Sequence, residues 1–309
     1  MKRAILLLSL LVMPLLAMGQ EVYSQEEFAR RYINLVDRVG PAGLGVETLL
    51  NKWEAAWPDD EQQLLARFSF CFTRCREVSL VQLDRDRYLG RAPVRPLKDS
   101  LGKRQNYFED YTYDDDLYAQ ANLAVDRAIA LNPLRLDYRT VKLDAMMAYE
   151  KEQPEMTLQG LKALVDKHFT EHPAWQYEGL DGVSDDQFMA FMQDYCVAFF
   201  RLGSDFGQEA FKSLTEHMLN YRRNDPLLLN NLGSYHLVKK EYKKAAKYFD
   251  QVLKKHPDDM SALRNGILMA RAKKDVKMEK KYLTLMAQYG ETETDRASAQ
   301  ARLDAFQRK

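Results

Sequence analysis

The chain has 309 residues, 46% of them hydrophobic, with 45 basic and 45 acidic side chains. That length suits one long array or two packed domains. A net charge of zero excludes a global pull toward nucleic acid, and an odd count of three cysteines does not suggest a disulfide framework.

The chain opens with Lys2-Arg3, an apolar run from Ala4 to Leu16, and Ala17-Met18-Gly19 before Gln20. This order of basic, apolar and small residues is that of a secretory signal cleaved near Gly19/Gln20. The alternative is a membrane anchor, for which the run is short. No cysteine follows the run, so no lipid attachment site is expected. No later segment is apolar enough to cross a membrane. With residues 1–19 removed, the expectation is a protein of the bacterial periplasm, or one secreted from the cell.

Residues 20–78 read as N-terminal helices. Glu26 to Val39 carries Phe28, Tyr32, Ile33 and Val36 on one side before Gly40-Pro41. Leu44 to Trp57 carries Leu49, Leu50, Trp53 and Trp57, and a third helix extends to about Val78. Cys71 and Cys75 are spaced as on one helix, beside Leu65, Phe68 and Phe72. They read as small core residues, with one bridge from Cys196 to either as the oxidised alternative.

Residues 79–115 change character, with Gly90, Pro93, Pro96 and Gly102 and no helical period. Leu80 to Leu83 and Tyr107 to Tyr113 are candidates for short extended pieces. Basic residues (Arg85, Arg87, Arg91, Arg95, Lys98, Lys103 and Arg104) precede acidic ones (Glu109, Asp110, Asp114, Asp115 and Asp116). Such a long insertion is either a solvated loop whose halves attract or a recognition loop placed by the helices around it.

Helical spacing returns over 116–224. Ala121, Ala124, Val125, Ala128 and Ile129 form a stripe ending at Asn132-Pro133, and a partner helix extends to Tyr149. Leu158, Leu161, Leu164 and Val165 mark the next helix, which closes at His172-Pro173. Residues 174–184 form a Gly-containing connection with Trp175 and Tyr177. Phe188, Phe191, Met192, Tyr195 and Phe199 make a strongly apolar helix, and Phe206, Phe211, Leu214 and Met218 mark its partner.

The clearest pattern lies in the last segment, 225–309. Asp225-Pro226 is a helix start, since the carboxylate caps free N–H groups and proline loses nothing at the first helical position. Leu229, Leu232, Gly233 and His236 share one face; Lys239-Lys240-Glu241 is a polar turn; Ala245, Phe249 and Val252 stripe a second helix that Pro257 ends. This order of large and small residues resembles a tetratricopeptide repeat, departing at His236, where that family favours Tyr. A second, degenerate repeat is read over 259–289 from Leu263, Ile267, Ala270, Leu283 and Met286. There Gly266 and Glu279 stand where a large and a small residue belong. Ala130-Leu131-Asn132-Pro133 looks like the close of another unit, and Thr292 to Phe306 reads as a polar cap.

The resemblance implies an all-α, irregular solenoid of helical hairpins interrupted by the 79–115 insertion, since one hairpin cannot bury its apolar face alone. It also implies peptide binding on the face made by first helices: Leu227, Asn230, Ser234, Leu237 and Val238, then Ser261, Arg264, Leu268, Arg271 and Ala272. Asn231 sits where some members place one residue of a carboxylate clamp, but the lysine partners are missing, so no clamp is expected. Between Lys239 and Lys281 there are twelve Lys and two Arg against six acids. That surface is either an ordinary solvated exterior or a dock for an acidic partner.

No nucleophile motif, phosphate-binding glycine loop or zinc-spaced cysteine pair is present. His168 and His172 share a helix face without a third ligand, so no metal and no cofactor is expected. The leading expectation is therefore a non-enzymatic periplasmic scaffold for protein or peptide partners. Two alternatives are an envelope enzyme with its site between the helical array and the 79–115 loop, and a glycan-binding module using Trp53, Trp57 or Trp175.

Overall fold

The computed structural model describes residues 23–180 and 182–308. The leader expected at 1–19 lies outside them. The described residues form thirteen α-helices and one three-stranded sheet, grouped in two compact units.

The first unit comprises the described residues up to Arg74 together with Leu117–Leu131. It contains α1 (Gln25–Val39), α2 (Val46–Ala56), α3 (Glu61–Arg74) and most of α4 (Asp115–Leu131). Ser24 caps α1 by accepting from the Glu27 N–H, and Gly40, at φ 80°, turns the chain out of it. The core is Phe28 stacked on Trp53 (5.8 Å, 6°), with Leu50, Leu64, Phe68 and Cys71 buried nearby in sequence and Val125 and Ala128 of α4 fully buried. Arg127 of α4 donates to the Pro58 carbonyl and to Asp59. Helix α3 ends at Arg74, four residues before the expected Val78, and Cys75 lies just past it. The reason is pairing: Arg76 to Leu83 finds a strand partner some thirty residues on, which local periodicity does not reveal.

The second unit comprises Cys75–Asp116 and Asn132–Lys309. Its sheet has the order β1-β3-β2, all antiparallel, from β1 (Arg76–Leu83), β2 (Arg95–Lys98) and β3 (Arg104–Tyr113). Val81 pairs with Phe108, which is buried against Tyr88. The two extended pieces expected in the insertion are thus strands, joined by a third. The expected attraction between its basic and acidic halves takes another form. Arg104 pairs with Asp86, Lys103 with Asp84, and Asp110 with Lys151.

The rest of this unit is α5 (Leu136–Glu150), α6 (Glu155–Glu171), α7 (Asp185–Leu202), α8 (Asp205–Leu219), α9 (Pro226–Val238), α10 (Tyr242–Lys255), α11 (Met260–Lys273), α12 (Val276–Tyr289) and α13 (Glu293–Gln307). Helices α7 and α8 start on serines that cap them, Ser184 as a full capping box with Gln187. One apolar core joins α5 to α9 through Leu161, Phe188, Met192, Phe199 and Leu214; a second joins α9 to α13 through Phe249, Leu263, Tyr282 and Ala299. The solenoid reading therefore holds, with a small sheet inserted.

Candidate functional site

Helices α9 to α13 build the face that the sequence points to. The Asp225 carboxylate accepts from Leu227 and Leu228 N–H (3.0 and 3.2 Å), with Pro226 opening α9. Gly233 lets α10 approach: a Cβ there would lie 2.3 Å from the Phe249 ring. The second hairpin repeats this device one residue earlier on both helices, where a Cβ on Gly266 would lie 2.6 Å from Tyr282. Gly266 is thus a close-approach glycine rather than a gap in the pattern. Glu279, expected to be a misfit, is buried and held by Arg271 (2.8 Å) and by Arg302 of α13 (3.1 Å). Burial alone would raise its carboxyl; the two guanidiniums outweigh that and hold it below the ordinary value.

On the first helices, Leu227, Val238 and Leu268 are exposed, as are Ser261, Arg264, Arg271 and Ala272, while Ser234 and Leu237 are half-buried. Asn230 is buried and donates to Asp259 (3.0 Å), tying one hairpin to the next. Ser234 accepts from Asn265 in the same way (3.3 Å). Asn231, also buried, exchanges hydrogen bonds with Gln193. Arg264, Leu268 and Arg271 come together on a cavity of about 310 Å³ whose other wall includes Asp295 and Ser298 of α13. Arg264 reaches Asp295 at 3.4 Å. The lysines fall largely on the second helices: Lys243, Lys247 and Lys254 of α10 and Lys277 of α12 are exposed.

A second hollow, of about 430 Å³, lies between the sheet and α5 and α7. Arg76, Arg91, Lys151 and Arg201 supply its charge, against Asp144. Asp144 accepts from Tyr195 (2.8 Å), and the surrounding protein raises its carboxyl above the ordinary range. Leu89, at φ 48°, and Gly90, at φ 75°, form the tight turn at its rim, with Tyr88 and Arg91 bonded across it. A leucine in the left-handed region is a strained choice. No sequence pattern marked this hollow, because its cations come from a strand, a turn, the residue just past α5 and the helix α7, far apart in the chain.

The remaining candidates are structural. Trp53 is 1% exposed and donates to Asp60, whose other oxygen caps α3. Trp175 is equally buried and donates to His168 Nδ1. Neither indole face is available as a sugar platform; Trp57 is partly exposed and donates to the Tyr23 carbonyl. His168 stacks on Phe188 at 3.8 Å, and His172 ends α6 in the left-handed region. Among the described residues no group of three or more His, Cys, Asp or Glu is placed to hold a metal, and no helix is long and apolar enough to cross a membrane. Cys71, Cys75 and Cys196 are buried and form no disulfide.

No curated protein matches the chain. Among solved structures it is similar to one reported in a functional characterization of Pseudomonas aeruginosa PilF. The two are 11% identical, over 90% of this chain and 96% of that one, with a TM-score of 0.34. A family model for the tetratricopeptide repeat matches residues 226–259, the hairpin of α9 and α10. The chain thus carries a tetratricopeptide repeat at those residues, continued by further helical hairpins.

Proposed function

We propose that the chain is an exported, non-enzymatic scaffold that holds a protein or peptide partner along α9, α11 and α13. One observation carries this reading: Leu268 stands 58% exposed between Arg264 and Arg271 on the 310 Å³ cavity. An apolar side chain flanked by two guanidiniums suits a peptide that offers an apolar group beside a carboxylate. The exposed lysines of α10 and α12 supply a second, salt-sensitive contact to an acidic partner.

A photo-crosslinking residue at Ser298, which lines the cavity and is exposed, tests the reading in whole cells of the source bacterium. The expected result is a discrete crosslinked partner that disappears in Leu268→Asp and Arg264→Glu and weakens as salt rises. The same capture by wild type and variants, or none, overturns it. Export is checked separately by fractionation and by sequencing the mature N-terminus, expected at Gln20.

The hollow beside the sheet is where an enzyme site would lie. Its charged lining is four cations against Asp144, with Lys151 also paired to Asp110, an arrangement that favours holding an anion.

A further inference from the structure

The sheet treats its two edges differently. Natural sheets blunt an edge with short strands, prolines or charges, because a row of unpaired N–H and C=O groups is a template for another strand. Strand β2 does all three: it has four residues, Arg-Pro-Leu-Lys, with Pro96 at its second position. Strand β1 does none of them along its length. It runs eight residues without proline, and charge is confined to Arg76 and Glu77 at its start. It pairs with β3 on one side, and no strand lies on its other side among the described residues. Its apolar side chains Val78 and Leu80 are 59% and 57% exposed. Such a strand, left alone, is a liability.

We propose that β1 is an interface between two copies of this chain, joined edge to edge by antiparallel β1–β1 pairing into one six-stranded sheet. The argument for a second copy is self-complementarity. Two-fold pairing centred on Leu80 sets Leu80 against its own counterpart and Val78 against Gln82 of the copy. It also sets Arg76 against Asp84, which is 80% exposed at the strand's end. Leu80 then meets an apolar group, Val78 and Val81 meet the neutral Gln82 and Ser79, Arg76 meets an unlike charge, Glu77 faces Leu83, and no like charges meet. Centring on Ser79 loses the ion pair by setting Arg76 against Gln82. Centring on Val81 leaves only residues 79–83 to pair, because Arg76, Glu77 and Val78 then face residues past the strand's end at Leu83. The favoured register pairs residues 77–83 of each copy, a contact small enough to be reversible. This interface is independent of the cavity on α11.

The full mature chain tests it. Leu80→Cys places a thiol on the two-fold axis facing its own copy, while Ser79→Cys places one on the opposite face against Val81. The native thiols are buried. Under mild oxidation the expected result is a disulfide dimer from Leu80→Cys, at least tenfold more than from Ser79→Cys. By sedimentation, the unmodified chain associates as concentration rises. Asp84→Arg weakens that association about tenfold by opposing like charges, and Arg76→Asp combined with Asp84→Arg restores it. A chain that stays monomeric at every concentration overturns the proposal, as does equal crosslinking at 79 and 80. If Leu80→Cys does not fold, sedimentation of the unmodified and Asp84→Arg chains decides alone.

Discussion

Gly233 and Gly266 show how much a single atom controls. Each sits where the following helix presses an aromatic ring onto bare backbone, Phe249 in one hairpin and Tyr282 in the next. A methyl group at either site must displace a buried ring or force the paired helices away from each other, which typically costs about 1–3 kcal/mol. Gly233→Ala and Gly266→Ala are each expected to lower stability to denaturant by that amount; unchanged unfolding curves would show that the rings yield freely. Gly233 was readable in advance because it stands eighth in a regular pattern. Gly266 was not, because its contact has slid one residue along both helices. Glu279 was misread for a related reason: the arginine that completes its pairing lies on α13, 23 residues later.

At the scale of elements, α6 and α7 are joined through one histidine. Trp175 donates its indole N–H to His168 Nδ1, so the imidazole proton lies on Nε2 and faces Asp185 at 3.1 Å. Burial lowers the pKa of His168, and Asp185 opposes that without reversing it. The unfolded chain therefore takes up the proton first. Stability from this group is complete above about pH 6.5 and is lost as pH falls below that value. Unfolding at pH 7.5 and pH 5.5 is expected to show a larger drop in wild type than in His168→Leu. That variant is weaker at both, by about 1–3 kcal/mol, because the Trp175 N–H is left unpaired. Equal drops would remove His168 as the cause. The sequence showed His168 and His172 only as a spaced pair; the partner that explains His168 is a tryptophan in the connection after α6.

For the second unit as a whole, the array needs an end. Helix α13 buries only Ala299 fully, yet it covers the α12 stripe with Leu303 and Phe306 and brings Arg302 to Glu279. Deleting residues 291–309 is expected to bare Leu283 and Met286 and leave Glu279 with one guanidinium. Thermal melting should fall by several degrees, and the shortened chain should self-associate on gel filtration. A melt and elution unchanged from the full chain would mean that the preceding hairpins close themselves.

By itself, the sequence determined the helices, the punctuation that separates them and the tetratricopeptide hairpin at 226–259. Those features depend on neighbours within one or two turns: caps such as Asp225, breakers such as Pro257, and stripes such as Ala245, Phe249 and Val252. Only the tertiary structure decided that Arg76 to Leu83 is a strand, that α4 packs with the first three helices, and that Trp53 and Trp175 are core. It also gathered Arg76, Arg91, Lys151 and Arg201 around one hollow. Each of these depends on a partner tens of residues away. The physical reason is that a strand's hydrogen bonds, like a buried indole's, are made with whichever segment folding brings alongside, and local spacing carries no record of it.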